Sequence, residues 1–503
     1  MKFNLKIFFS LFIVSIFFIH FNLPFVHFYA VIGLVLLFIS FLLLLIFRYK
    51  SFISFIKNIS LNKRNSFRVY LLYLIYIISI TLIFGVFGKV NIVNSFAEIF
   101  YRNIVCMLIC YLTVAYIVFR YISESLLIKI IYGVLFVILC LGIVDFHAYI
   151  FHITPLEWFL KQIHNLNVVV WLQGQAQTEV HSHAMISNLP RAQSIYVEPG
   201  FFAENIFLFL PILYHLSLCK YKIFNNKYLN AIVKNTTIPL VWINLIITFS
   251  PIWLVGCIIS TIIYFHRKIL LFFKKNKICM LITISMMFVL FNIFYFIKID
   301  LSNTYLNRIE IVCKNFTNIE SLIEEEPSLG TRLSSVANQI YIGFSKPIFG
   351  HGHSNKVKLM VDHIAKGKSP IPPTGEMIHY ILQVEKPMFH SPPVADTFIR
   401  YGLVGLILYF GFIIKTILLL KKARRRTTPL TKEFLSGIGG ALISYIVLCG
   451  YDITPAELQS CLLIGIGIAI IQKYSTMFLH TQNETNLASQ YKEEALCKIT
   501  YLK

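Results

Sequence analysis

Apolar runs of about 17 to 22 residues, separated by short polar stretches, recur along the chain, and a run of that length is what an α-helix needs to cross the hydrocarbon core of a bilayer. A water-soluble protein of 503 residues would need a polar shell, yet 57% of the residues are hydrophobic and only 14% are charged. An ordinary soluble domain carries roughly a quarter charged residues. That composition excludes a soluble enzyme. Backbone groups inside lipid must bond within their own segment, so the expected fold is all-α: a polytopic membrane helical bundle.

Twelve candidate spans follow from the runs: 4–20, 27–47, 69–88, 100–119, 128–146, 200–219, 231–249, 251–266, 278–298, 397–420, 434–451 and 456–472. The first has no small-residue cleavage pattern after it, since Phe17-Phe18-Ile19-His20 is bulky, and is expected to be a retained helix. The chain then divides into N-terminal spans 1–5 (1–146), a loop (147–199), spans 6–9 (200–298), a large loop (299–396), spans 10–12 (397–472) and a tail (473–503).

A net charge of +22 suggests nucleic acid until the basic residues are located. They crowd into alternate connections, at Arg48 to Arg68, Lys220 to Lys234, Arg267 to Lys277 and Lys421 to Lys432. The intervening short connections hold only Lys89, Arg102, Lys161 and Arg191. By the positive-inside rule the first set is cytoplasmic, both termini are cytoplasmic and the two long loops are periplasmic. No nucleic-acid partner is expected. The same rule favours two short spans meeting at Ser250-Pro251 over one long helix from 231 to 266. Of the ten cysteines only Cys313 lies in an outer loop, so no disulfide framework is encoded.

The polar chemistry concentrates where the long loops re-enter the membrane. One such stretch runs from Arg191 through Glu198-Pro199-Gly200, with Glu204 a turn further on. In the second loop, Thr331 to Lys346 places Leu333, Val336, Ile340, Tyr341 and Phe344 on one face, the pattern of a helix on a membrane surface or packed on the bundle. It breaks at Pro347-Ile-Phe-Gly350-His-Gly352-His353. His390 precedes the tenth span, which carries Asp396, Arg400 and Tyr401-Gly402-Leu-Val-Gly405. Ionisable groups at membrane depth are expensive, which makes them the first candidates for a site.

The order Arg191…Glu198-Pro199-Gly200, then Thr331-Arg332-Leu333 and Pro347-Ile-Phe-Gly350-His-Gly352, then His390 before Tyr401-Gly402-Leu-Val-Gly405 resembles the O-antigen ligase and O-antigen polymerase superfamily. The resemblance covers roughly residues 190–415. It implies a metal-independent inner-membrane glycosyltransferase with a periplasmic active site. Its substrates would be undecaprenyl-diphosphate-linked glycans, and a chain-length co-polymerase is an implied partner. Polymerisation of repeat units is the expected activity, with ligation of the finished glycan to lipid A core as the alternative. A flippase is the alternative of another class. Arginines suit a departing diphosphate because they are always charged and can fork two oxygens, which assigns Arg191, Arg332 and Arg400 to it. His390 and Glu198 are the candidates for accepting the proton of the attacking hydroxyl. The family commonly has a Ser-Arg pair at the outer turn occupied here by Ser250-Pro251, and the arginine is absent.

Two His-x-His pairs, His181/His183 and His351/His353, raise zinc as a question, but no third ligand stands at a suitable spacing, so no metal site is expected. No phosphate-binding glycine loop of the nucleotide type is present, and no cofactor is expected.

Overall fold

In the computed structural model, the described residues are 5–15, 32–61, 65–87, 92–166, 199–248, 327–353, 356–371, 392–450 and 459–474, with shorter pieces between 185 and 262 and single residues at 285, 311, 314 and 321. They are almost entirely helical. Seven helices among them are long and apolar enough to cross a membrane, and the chain is a multi-pass membrane protein.

The first half contributes α1 (Leu5–Ser15), α2 (Ile32–Leu61), α3 (Phe67–Val86) and a long fourth span. The latter is α4 (Ile92–Ile99), continued through a π-helical stretch, Phe100–Ile109, into α5 (Cys110–Arg120). Next come α6 (Glu124–Ile150) and the short α7 (Thr154–Leu166), then a two-residue antiparallel pair, β1 (Met185–Ile186) with β2 (Leu189–Pro190). The second half contributes α8 (Pro199–Leu218), α9 (Lys227–Ile247), α10 (Pro327–Phe344), α11 (Lys356–Ala365), α12 (Pro393–Ala423), α13 (Pro429–Leu448) and α14 (Gln459–Tyr474).

The expected spans between 69 and 249 coincide with helices, whereas 278–298 lies outside the described residues, as does much of 251–266. The expected connection after residue 47 is corrected. The α2 backbone breaks at Arg48 (φ −136, ψ 20) and continues as helix to Leu61. Phe52, Phe55 and Ile59 recur there at helical spacing and are buried, while Lys50 and Lys57 remain exposed. An apolar stripe of this kind folds as an amphipathic helix although its charge content disqualifies it as a span.

Aromatic rings fill the centre. Tyr70 packs against Tyr111 and Phe412 with ring centres 5.4 and 5.0 Å apart, and its hydroxyl donates to the Asn103 carbonyl at 2.7 Å, within the π-helical stretch. Helix α8 packs on α13 through small residues, Gly437 facing Ile212 and Gly440 facing Pro211.

Among the described residues, the connections around 121–129, 219–226 and 424–431 come together at one end. There Lys129 donates to Asn225 at 3.0 Å, Thr431 and Tyr474 both donate to Glu124, and Phe9 packs on Tyr121. The opposite end is tied by Ala192 N donating to the Ile247 carbonyl at 3.0 Å and Val394 N to the Cys449 carbonyl at 3.1 Å.

Helix α10 corrects a second expectation. It begins at Pro327 and ends at Phe344 and packs along α12, where Gly343 and Phe344 meet Phe398 and Ile342 clusters with Ile399; Ser334, Ser335, Asn338 and Gln339 are buried, with Ser334 and Asn338 turned to the Ile371 carbonyl. Tyr341 and Phe344, from the apolar stripe, are exposed instead. In water the stripe would turn inward. The polar face of α10 instead finds its partners inside the protein. Asn338 and Gln339 bond back to Ser334 and Ser335 one turn earlier.

Candidate functional site

The site is built on a break in α12. Helical φ/ψ fails at Gly402 (φ +64), which removes the ordinary partners of the carbonyls and amides around it. The segment following α10 takes their place. His351 N donates to the Ile399 carbonyl at 2.8 Å and Gly352 N to the Arg400 carbonyl at 2.9 Å; in return Leu403 N donates to the Pro347 carbonyl at 2.7 Å. The loop therefore satisfies the groups that the break releases. Gly350 (φ +72) and Gly402 sit at the crossing, and a Cβ on either would overlap the other segment's backbone. The Pro347–Gly352 and Tyr401–Gly405 motifs, far apart in the chain, are one structural unit.

That docking delivers His353 to the face of α12 that carries Asp396 and Arg400, residues one turn apart and bonded Nε to Oδ1 at 3.0 Å. Lys356, opening α11, donates to the same Asp396 oxygen at 2.5 Å. The fifth member comes from the first half of the chain. Glu98, in the last turn of α4, places Oε1 2.7 Å from Arg400 Nη1 and Oε2 3.0 Å from His353 Nε2. Arg400 Nη1 lies 2.8 Å from the same imidazole nitrogen. As the Nε2–H tautomer a neutral ring donates to Glu98 and accepts at Nδ1 from the Tyr401 hydroxyl and from Arg400 Nη1, 3.2 Å away. The Tyr401 carbonyl in turn accepts from the Tyr76 hydroxyl at 2.8 Å.

Two carboxylates against two fixed cations leave this cluster compensated, the condition under which charge persists in a low-dielectric setting. Burial, and next the Arg400 cation, push the His353 imidazole below its usual range, while hydrogen bonding to Glu98 opposes them. The members differ in access. The side chains of Asp396 and Arg400 are 6% and 8% exposed and His353 is 2%, but Glu98 is 42% exposed. Glu98 is the open corner of an otherwise closed constellation.

Of the residues singled out in the sequence, Arg400 is at the centre of this cluster. Arg332 is half-buried on α10, the helix that packs along α12. Arg191, Glu198 and His390 lie outside the described residues. Between Arg191 and Glu198, however, Ala192, Ser194 and Tyr196 are described and buried. Ser194 N donates to Asp145 Oδ2 at 3.1 Å, its hydroxyl donates to the Ile138 carbonyl, and the Tyr196 ring stacks on Phe202. Those three residues lie against α6, α8 and α9.

Among the described residues no group of three or more His, Cys, Asp or Glu side chains is placed to hold a metal ion. The His351/His353 pair is split: His351 Nε2 faces the Ser345 hydroxyl and the Ile342 carbonyl, and His353 faces Glu98 and Arg400. His181 and His183 lie outside the described residues.

Glu98 and Lys356 were not among the sequence candidates. Glu98 carried a signal, a lone acid just ahead of an apolar run, but nothing in the chain's order points from it to residues some three hundred positions later. No protein-family model matches this chain, and no curated protein matches it either.

Proposed function

We propose that the chain joins undecaprenyl-diphosphate-linked repeat units into O-antigen or a related surface polysaccharide at the periplasmic face of the inner membrane. The observation that supports this reading is the Arg400 guanidinium, bonded to buried Asp396, with Nη1 3.2 Å from His353 Nδ1 and 2.7 Å from the half-exposed Glu98. It sits at the end of the bundle away from the basic connections, the end that the positive-inside rule assigns to the outer side.

In the reaction, a sugar hydroxyl oxygen of one substrate attacks the anomeric carbon of the other, the bond from that carbon to the diphosphate oxygen breaks, and the hydroxyl proton passes to a base. Undecaprenyl diphosphate leaves with the bonding pair. Charge gathers on the departing diphosphate, so a cation fixed before the reaction stabilises the transition state more than the ground state. Arg400 supplies that cation once a phosphate oxygen replaces Glu98 on Nη1. Arg191 and Arg332 are proposed to hold the remaining phosphate oxygens, and His390 or Glu198 to take the proton.

The test is the electrophoretic profile of surface polysaccharide from cells carrying Arg400→Ala at normal protein level. A single repeat unit capping the core is expected. A wild-type ladder would overturn the assignment. A bare core with accumulating lipid-linked polymer would identify a ligase of the same chemistry, and lipid-linked units confined to the inner leaflet a flippase.

A further inference from the structure

We propose that the basic end of the bundle carries a second binding site, a pocket for the phosphate headgroup of an anionic phospholipid. A cavity of about 700 Å³ opens there between the last turns of α12, the turn Arg424–Arg426, the α2–α3 connection and the end of α14. Four cations line it, Lys415, Lys422, Arg425 and Arg426, and there is no carboxylate among the described lining residues. The cations from α12 stand two turns apart on one face, with Leu418 between them.

Asn65 makes the independent case for a ligand acceptor. It is 1% exposed and lines the same cavity. Its Oδ1 accepts from Phe67 N at 3.1 Å, while its Nδ2 has no partner among the described residues. A buried amide donor calls for an acceptor oxygen, and a phosphodiester supplies one together with the negative charge that the four cations complement.

The walls separate a lipid from a soluble phosphate. Leu418 and Ile471 form the apolar side of the cavity, and Leu418 lies 54% exposed on a helix long enough to span the membrane. A headgroup bound here keeps its acyl chains against that surface. Basic pockets between spans are the recurring form of lipid-headgroup recognition.

The experiment is native mass spectrometry of the full-length protein released from phosphatidylglycerol or phosphatidylethanolamine bilayers. Wild type is expected to retain phosphatidylglycerol at least about tenfold more than phosphatidylethanolamine, a difference of the size that one or two charge-assisted contacts confer. Asn65→Asp keeps the acceptor for Phe67 N and turns the donor into a negative charge; it should abolish the preference while unfolding without lipid at the wild-type temperature. The triple variant Lys415→Gln, Lys422→Gln, Arg425→Gln should lose it as well. Undiminished retention in both variants would overturn the site. Displacement of the lipid by millimolar inorganic phosphate would make it a soluble-phosphate site and overturn the lipid assignment.

Discussion

At the scale of single residues, the two carboxylates on Arg400 do different work because they differ in access to water. Asp396 is buried between two cations, so Asp396→Asn leaves Lys356 and Arg400 repelling each other with no anion between them. Removing one partner of a buried charge group costs on the order of 3 to 5 kcal/mol. The variant should therefore melt far below wild type in a thermal unfolding series, and an unchanged melting temperature would contradict the pairing. Glu98, half in water, is worth under about 1 kcal/mol to stability. Glu98→Gln should barely move the melting temperature but should tighten retention of undecaprenyl diphosphate, because a neutral amide competes less well for the guanidinium. Weaker retention would count against displacement of Glu98 by the substrate. His353 adds a pH dependence. Its folded pKa lies below the ordinary imidazole range, so on acidification the unfolded chain takes up the proton first. The stability it permits is complete above about pH 6.5 and declines below that as pH falls toward the folded pKa. His353→Gln should remove that part of the acid sensitivity, read as the difference between the two proteins' melting temperatures across pH 7.5 to 5.

At the scale of elements, the break in α12 and the loop that repairs it hold the site together. Gly402→Ala forces a Cβ into the Ile348 carbonyl region at a backbone angle that favours glycine. Backbone strain alone costs about 1 to 3 kcal/mol, and the overlap adds to it. Gly367 has a similar angle, φ +63, but open space around it, so Gly367→Ala should cost only the backbone strain, about 1 to 3 kcal/mol. Equal melting temperatures for the two variants would show that the crossing does not matter. Much at this scale was legible in the sequence. The glycines of Gly350-His-Gly352 announced irregular backbone, whereas Gly402 stood inside an expected unbroken span, and the apolar runs matched the helices between 69 and 249. The exchange of hydrogen bonds between the two glycine motifs was not legible, since the first alone reads as an ordinary turn and the second as the interior of a span. The orientation of α10 was not legible either. Period 3.6 locates an apolar stripe but does not say whether water or lipid lies outside, and the buried side proved to be the serine and amide side.

At the scale of the whole molecule, the charge distribution was the most informative feature of the chain. The alternation of basic and non-basic connections anticipated that Lys129, Arg424 and Lys473 would gather at one end of the bundle. Which helices become neighbours was beyond it, and so Glu98, contributed by a span in the other half of the chain, was missed while Arg400, Asp396 and His353 were in view. The account rests on the site end and the basic end facing opposite sides of the membrane. A membrane-impermeant maleimide applied to intact cells carrying single cysteines at the exposed positions 346 and 424, in a cysteine-free background, tests this directly. The cysteine replacing Lys346, beside the Gly350 loop, should react in intact cells, and the one replacing Arg424 only after the inner membrane is permeabilised. Reaction at 424 with protection at 346 would contradict the account.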